Sequence, residues 1–462
     1  LLFYLQTTAF ILSLRPKKKD MLIQKFGGTS VGNAQRLKNV CNLVADGQSK
    51  IIVLSAMAGT TNALVEIAQN FHAKKISDAT YLLGLLKDKY LQEIEDLFST
   101  DLQKEQALEL LDAHFNFISA FGTDLFTAHE ERAILAQGEY LSTALFHLYM
   151  TSQNHKVALL DACHFVRLNL DGEPDMDYLK THIQEQISAQ PEAVYYITQG
   201  FICRNAFGEI DNLKRGGSDY SASLIGAAVA ADEIQIWTDI DGMHNNDPRI
   251  VENTRPIAHL SFDEAAELAY FGAKILHPSS VLPAQNANIP VRLKNTMQPE
   301  ASGTLISNKT EKSQNIITAV AAKDGITAIK IKSGRMLMAY GFLRKVFEIF
   351  EAYKTPIDMI TTSEVAVSLT IDNQENLASI VSSLESFGTV EVDSEQCIIC
   401  VVGNFIAENR GCAKLIFDAL ESIPLRMISY GGSRHNISVL VHKNYKNEAL
   451  QNIFTQLQNH PS

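Results

Sequence analysis

Hydrophobic and polar positions along the chain fall into two alternating regimes. Leu22, Ile23 and Gln24 begin a short strand that ends in Lys25-Phe26-Gly27-Gly28-Thr29-Ser30-Val31-Gly32. Behind Asn33, a good helix N-cap, Leu37, Val40, Leu43 and Val44 recur at helical spacing. The spacing predicts strand, glycine turn, helix. Ile51-Ile52-Val53-Leu54 is a continuous apolar run of the kind buried on both faces of a parallel sheet. It leads into Ser55-Ala56-Met57-Ala58-Gly59-Thr60-Thr61-Asn62. Residues 63–150 mix charged and apolar positions with few glycines or prolines, which predicts helix almost throughout. Val157–Leu160, Val194–Thr198 and Glu233–Trp237 read as further strands, and a small-residue helix spans Ser221–Ala231. Ser261-Phe262-Asp263-Glu264 is a capping box that opens a helix through Tyr270, with Gly272 as its stop. This alternation predicts an α/β body with an open sheet sandwiched by helices.

Asn295–Gln314 is polar and without period, and reads as a linker. Beyond it the sequence repeats. Gly341–Phe350 resembles Gly411–Leu420, and Pro356–Ile360 matches Pro424–Ile428. Each copy predicts a ferredoxin-like βαββαβ unit. The expected domains are a leader at 1–20, a body at 21–295, a linker at 296–315, a first small unit at 325–394 and a second built from 316–324 with 395–462.

The chain has 462 residues, 46% hydrophobic and 20% charged, as in a globular protein. A net charge of −12 argues against a nucleic-acid partner. The six cysteines are scattered, and Cys397-Ile-Ile-Cys400 lies in a strand-like run where residues three apart face opposite sides. Core thiols in a reducing cytoplasm are expected. The apolar stretch Leu1–Leu14 precedes Arg15-Pro16-Lys17-Lys18-Lys19, the reverse of a secretory signal. It is too short and interrupted to span a membrane. Met21 is the expected natural start, with no membrane partner.

Candidate chemistry sits at the strand ends. Adjacent glycines let backbone N–H groups approach an anion, and the helix start beyond Asn33 adds partial positive charge. Lys25 brings a full charge to the same turn, ahead of the glycines rather than after them, so this is not a Walker A loop. Lys214-Arg215-Gly216-Gly217-Ser218-Asp219 repeats the pattern, with an arginine able to grip a carboxylate or phosphate in two places. Asp219 is suited to orient Lys25 or a metal. Glu139, after Gly138, suits a substrate amine or merely a solvated helix surface. Thr238-Asp239-Ile240-Asp241-Gly242 and Asn246-Asp247-Pro248-Arg249 suit a nucleotide, or only a turn. His277 reads as structural.

Together Lys-Phe-Gly-Gly-Thr-Ser, Ser-Ala-Met-Ala-Gly-Thr-Thr-Asn, Gly-Glu-Tyr-Leu-Ser, Arg-Gly-Gly-Ser-Asp, Asp-Pro-Arg, Phe-Gly-Ala-Lys-Ile-Leu-His-Pro and Ile-Thr-Thr-Ser-Glu resemble the aspartate kinases of the amino-acid kinase family, with two C-terminal ACT domains. The resemblance covers the chain from Met21 onward. It implies phosphoryl transfer from ATP, with Mg²⁺, to the β-carboxylate of L-aspartate. Lys25 and Asp219 match the catalytic positions, and Ser55, Thr61, Glu139, Arg215 and Ser218 the aspartate positions. Lys25, Gly27, Gly28, Thr238, Asp239, His244, Arg249 and Lys274 match the ATP side. Met336, Phe342, Leu343, Asp358, Ser363 and Glu364 match the effector pocket of lysine-inhibited members. L-lysine is then the expected inhibitor, with L-threonine next, and ACT pairing implies a homodimer or homotetramer.

Three departures accompany the resemblance. Ile210-Asp211-Asn212-Leu213-Lys214 replaces a threonine-rich run ending in Leu-Gly, so Lys214 adds bulk and charge beside the site. His244 stands where the family usually has a tyrosine that stacks on nucleotide. Ala339 and Tyr340 replace a serine and an arginine of the effector pocket. Two other readings stay open: an amino-acid kinase with a different acceptor, and a non-catalytic amino-acid sensor on the same fold. The double ACT tail and the Arg-Gly-Gly-Ser-Asp run count against the first. Retention of Lys25, Arg215, Asp219 and Lys274 counts against the second.

Overall fold

The computed structural model describes residues 21–122, 126–213, 216–272, 276–308, 317–333 and 340–459. In chain order these form β1 (Leu22–Phe26), α1 (Ala34–Val44), β2 (Lys50–Leu54), α2 (Thr60–His72), α3 (Ile76–Leu97), α4 (Asp101–Ala120), α5 (Ala128–Ser152), β3 (Val157–Leu160), α6 (Met176–Ser188), β4 (Tyr195–Gln199), β5 (Ile202–Arg204), β6 (Ile210–Asn212), α7 (Gly217–Val229) and β7 (Glu233–Thr238). Next come β8 (His259–Ser261), α8 (Phe262–Phe271), α9 (Leu282–Asn286), β9 (Val291–Asn295) and β10 (Thr304–Ser307). The repeats supply β11 (Ala319–Lys332), α10 (Phe342–Ala352), β12 (Ile360–Thr362), β13 (Ala366–Ile371), α11 (Leu377–Glu385), β14 (Thr389–Val402), α12 (Cys412–Ala419), β15 (Met427–Tyr430), β16 (Asn436–His442) and α13 (Lys446–Asn459). Among the described residues no helix is long and apolar enough to cross a membrane.

Two compact units result. One runs to Asp241 and takes in Ser279–Leu305; the other holds Gly242–Pro278 and the chain from Ile306. In the first, strands lie in the order β3-β4-β2-β1-β7-β9, each neighbouring pair parallel. Every residue of β2 is buried, because helices cover both faces. On one face Gly226 of α7 lies against Ile234 and Ile23, with no room for a side chain between them. On the other, Phe26, Leu37, Ile52 and Trp237 join Leu64, Tyr90, Phe115 and Leu141 from the helical region in one core. Burying each such side chain is worth about 1.5–3 kcal/mol. The region read as helical is helical: α2 to α5 span most of residues 60–152.

Gly242–Pro278 packs with the second unit. The Val320 N–H donates to the Asn245 carbonyl at 3.0 Å, and the Thr318 hydroxyl donates to Glu264 at 2.7 Å. The capping box read from sequence closes as expected: Glu264 N–H donates to Ser261 Oγ at 3.1 Å, and Ser261 N–H to Glu264 Oε2 at 3.0 Å. The supposed linker is not structureless, since it contains β10. Four residues that alternate buried and half-buried are too short a signal to stand out from polar neighbours.

The repeats share one six-stranded sheet in the order β12-β13-β11-β14-β16-β15, antiparallel throughout. Its two long strands each serve both repeats. Ala319–Lys323 pairs with Ile398–Val402 beside β16, whereas Ala328–Lys332 pairs with Thr389–Asp393 beside β13. Register shifts between Lys323 and Ala328 mark the crossing point. Each half has its own core, one around Ile329, Val346 and Ile380, the other around Val401, Ile416 and Leu450.

Candidate active site

Functional side chains gather where adjacent parallel strands end. Backbone hydrogen bonds carry the sheet into these turns: Gly27 N–H to Trp237 O at 3.2 Å, Ser55 N–H to Phe26 O at 3.2 Å and Gly200 N–H to Leu54 O at 2.9 Å. A carboxyl-end crevice of this kind is where open α/β sheets bind ligands. α7 starts there behind Gly216, in the left-handed region and without a side-chain cap. Its first turn presents Ser218 and Asp219. A Cβ on Gly200 would lie 2.3 Å from the Ser218 Cβ, so only glycine lets α7 come this close to β4.

Lys25 Nζ lies 2.6 Å from Asp219 Oδ1, with both side chains largely buried. The contact is an ion pair whose angle falls outside hydrogen-bond geometry, leaving Asp219 Oδ1 without a hydrogen-bond partner. Beside it the hydroxyls of Ser55 and Ser218 share a hydrogen bond of 2.5 Å. Ser142 of α5 donates to the Ser55 carbonyl at 2.8 Å. The sequence suggests Lys25, Ser55 and the Ser218-Asp219 pair from three turns far apart in the chain, with Asp219 suited to orient Lys25; the fold brings them together.

Glu139 is buried, not a solvated helix charge. Its Oε1 accepts the Ala56 N–H at 3.4 Å, while Oε2 is buried with no hydrogen-bond partner. Burial pushes its carboxyl up to about 7, against which the Ala56 N–H works only weakly. Gly138 explains the approach: a Cβ there would stand 2.9 Å from the Ala56 Cβ. The glycine lets α5 press its glutamate against the loop after β2.

One expectation needs correcting. The start of α1 is not free to receive an anion at its first turn. Asn33 Oδ1 accepts the Arg36 N–H at 2.9 Å, and Glu93 Oε2 accepts the Ala34 N–H at 2.6 Å. The carboxylate comes from a helix 59 residues away, which no local pattern reveals. By contrast α2, with Gly59 as its cap, and α7 have no side-chain cap. Thr61 is exposed in the first turn of α2.

Among the positions expected to serve the nucleotide, Gly27 and Gly28 follow Lys25-Phe26 directly. Thr238 Oγ1 accepts the Ile240 N–H at 3.1 Å, and Asp239 is exposed. Sequence reading passed over Thr296, whose hydroxyl is 2.6 Å from Ser30 Oγ and whose N–H donates to the Thr238 carbonyl at 2.8 Å. Its only signal is a threonine just beyond a strand. His244 and Arg249 belong to the second unit. There His244 Nδ1 is 3.1 Å from the Thr254 hydroxyl, and Arg249 grips Asp247 with two bonds, at 2.9 and 2.7 Å. Arg215, Lys274 and Met336, with the departures Lys214 and Ala339, lie outside the described residues.

Of the effector positions, Phe342 is buried in the first repeat's core, and Leu343, Ser363 and Glu364 are exposed. The Asp358 side chain is only 2% exposed and accepts at Oδ1 from Lys323 Nζ at 2.7 Å and the Tyr270 hydroxyl at 2.8 Å. Lys323 also reaches Asp372 Oδ2 at 2.9 Å.

Known proteins share this fold. The amino acid kinase family profile matches residues 20–295, and an ACT domain profile matches 399–457. "Aspartokinase 2, chloroplastic" of Arabidopsis thaliana is 34% identical, over 92% of this chain and 82% of its own length. "Lysine-sensitive aspartokinase 3" of Escherichia coli is 32% identical, over 95% and 99%. The crystal structure of E. coli aspartokinase III with aspartate and ADP superposes with a TM-score of 0.81 at 32% identity, covering 95% of this chain and 100% of that one. With its catalytic-unit sheet, paired ACT repeats and relatives matched nearly end to end, the chain belongs to the amino acid kinase family, among its aspartokinases.

Proposed function

We propose that the chain transfers the γ-phosphate of ATP to the β-carboxylate of L-aspartate, giving 4-phospho-L-aspartate. The observation that carries this reading is the Lys25–Asp219 pair at 2.6 Å, set beside the Ser55–Ser218 hydroxyls and the buried Glu139. A carboxylate acceptor is already ionised at neutral pH, so the reaction asks for no general base. It asks for positioning and for charge stabilisation on the transferring group. Lys25 supplies that charge, and Asp219 holds the ammonium in the turn. Arg215, Ser55, Thr61 and Ser218 bind the aspartate carboxylates. Glu139 takes the α-ammonium, for which the unpartnered Oε2 is the natural acceptor.

Gly27, Gly28, Thr238, Asp239, His244, Arg249 and Lys274 serve the nucleotide. Mg²⁺ is carried mainly by the phosphates, with few protein ligands. When bound, Mg²⁺ neutralises phosphate charge. The lysine-sensitive E. coli relative supports L-lysine as feedback inhibitor, with L-threonine second, acting through Met336, Phe342, Leu343, Asp358, Ser363 and Glu364. The ACT repeats support assembly as a homodimer or homotetramer, and the unpaired buried cysteines fit a reducing cytoplasm.

The test is ADP release from ATP–Mg²⁺ with L-aspartate, with hydroxylamine to trap the acyl phosphate, repeated with L-lysine and L-threonine. Aspartate-dependent ADP with a trapped hydroxamate is expected. Folded protein that binds lysine yet releases no ADP would instead identify a sensor.

A further inference from the structure

Two charged residues of α3 reach the two loops that open the site. Lys89 Nζ donates to the Ala58 carbonyl at 2.5 Å, and Glu93 accepts the Ala34 N–H at 2.6 Å. They stand four residues apart and so share one face of the helix. Ala58 belongs to the loop after β2, and Ala34 is the first residue of α1, behind the glycine loop after β1. Those loops also touch each other, since a Cβ on Gly28 would lie 3.0 Å from the Ala56 carbonyl and one on Gly32 3.1 Å from the Ala58 Cβ. A single helix thus braces both.

The bond from Lys89 has a specific geometric effect. Ala58 C=O and Gly59 N–H belong to one planar trans peptide and point in opposite directions. With the oxygen tied to α3, the Gly59 N–H faces away from α3. Gly59 is the left-handed cap of α2 (φ 79°) and no side chain caps that helix. The Thr60 N–H is held by the Met57 carbonyl at 3.0 Å, so the groups at this helix start that the tied peptide aims are the Gly59 N–H and the exposed Thr61. On the other loop, Glu93 fixes the start of α1 while the Arg36 guanidinium holds the Thr29 carbonyl.

We propose that Lys89 and Glu93 are positioning residues of the kinase: Lys89 sets the acceptor loop and Glu93 the phosphate loop, in register from one helix. The inference rests on the aspartate-kinase reading. Neither residue touches the reacting groups assigned above; each acts through the backbone it holds.

The experiment compares wild-type protein with Lys89→Met, Lys89→Arg and Glu93→Leu in steady-state assays for both substrates, with melting temperatures alongside. Lys89→Met keeps the aliphatic stem and loses the donor. It is expected to raise KM for aspartate about tenfold, as loss of a charge-assisted hydrogen bond would, with KM for ATP changed less than about twofold by the same reasoning. Lys89→Arg restores most of the loss. Glu93→Leu is expected to show the reverse split, with KM for ATP rising more. If wild type turns over and Lys89→Met matches it in both constants, the inference is overturned. So it is if both constants, kcat and melting temperature worsen together without rescue by arginine, which would mark a purely structural residue. A wild type without aspartate-dependent turnover would overturn the kinase reading itself.

Discussion

Glu139 shows what a single position discloses and what it hides. The sequence shows a glutamate behind a glycine in a helix; it does not show that α5 lies against another loop. That contact strips the carboxylate of water and raises its pKa to about 7. The sign follows directly. An unfolded glutamate ionises near pH 4.3, whereas this one keeps its proton up to about 7. Between those values the folded chain binds the extra proton, so the stability of the free protein falls as pH rises through the window. Binding an α-ammonium needs the ionised form, so KM for aspartate should rise about tenfold from pH 8 to pH 6, following the ionised fraction. Glu139→Gln should hold KM high and nearly flat over that range. A wild-type KM that does not move between these pH values would remove Glu139 from the amine site. Lys25 was legible because a charged residue at a strand end beside two glycines has few structural uses. Lys25→Met should cut kcat at least about a hundredfold, the scale of losing one preorganised charge at a transition state, with the near-UV spectrum unchanged; more than a tenth of the wild-type kcat would contradict its role.

At the scale of elements, hydrophobic period locates β1, β2, β3, β4 and β7 and the helical stretch between them, but it does not mark out α6, α9, β5, β6, β8, β9 or β10; Ser261-Phe-Asp-Glu264 predicts a cap in atomic detail. What failed were inferences about an element's end that depend on distant residues. The start of α1 reads in sequence as an open anion site, whereas Glu93 accepts its first N–H. Glycine permits the closest packing between elements. Gly138 and Gly200 sit where two elements approach too closely for a Cβ. Gly138→Ala forces α5 from the loop after β2, because the new methyl meets the Ala56 methyl at 2.9 Å. Overpacking of this kind costs about 1–3 kcal/mol. The expected result is a lower melting temperature together with a raised KM for aspartate, since Glu139 retreats with its helix. Unchanged affinity despite lost stability would show that the glutamate does not need this approach.

At the scale of the whole molecule, matching segments show the repeat, and the expected unit boundaries at 324/325 and 394/395 fall inside β11 and β14, the strands both repeats share; the pairing register leaves no local pattern, because partners such as Ala319 and Val402 lie far apart in the chain. β11 carries one consequence. Lys323 ends its pairing with the second repeat, at the register shift, and its ammonium holds Asp358 of the first. Tyr270, on α8, donates to the same Asp358 oxygen while its ring lies 4.4 Å from the Lys323 ammonium. Three parts of the second unit thus meet on one buried carboxylate. Asp358 Oδ2 remains buried without a partner. An effector that brings its own ammonium to Asp358 must share that carboxylate with Lys323 and Tyr270. Tyr270→Phe keeps the ring on the lysine and deletes the competing donor. Uninhibited turnover should stay within about twofold, since Tyr270 has no part in the chemistry. The concentration of lysine giving half inhibition should fall five- to tenfold, about the value of one hydrogen bond to a charged group. A rise instead would mean that the hydroxyl belongs to the inhibited arrangement rather than opposing it, and no change would mean that the effector does not engage Asp358 at all.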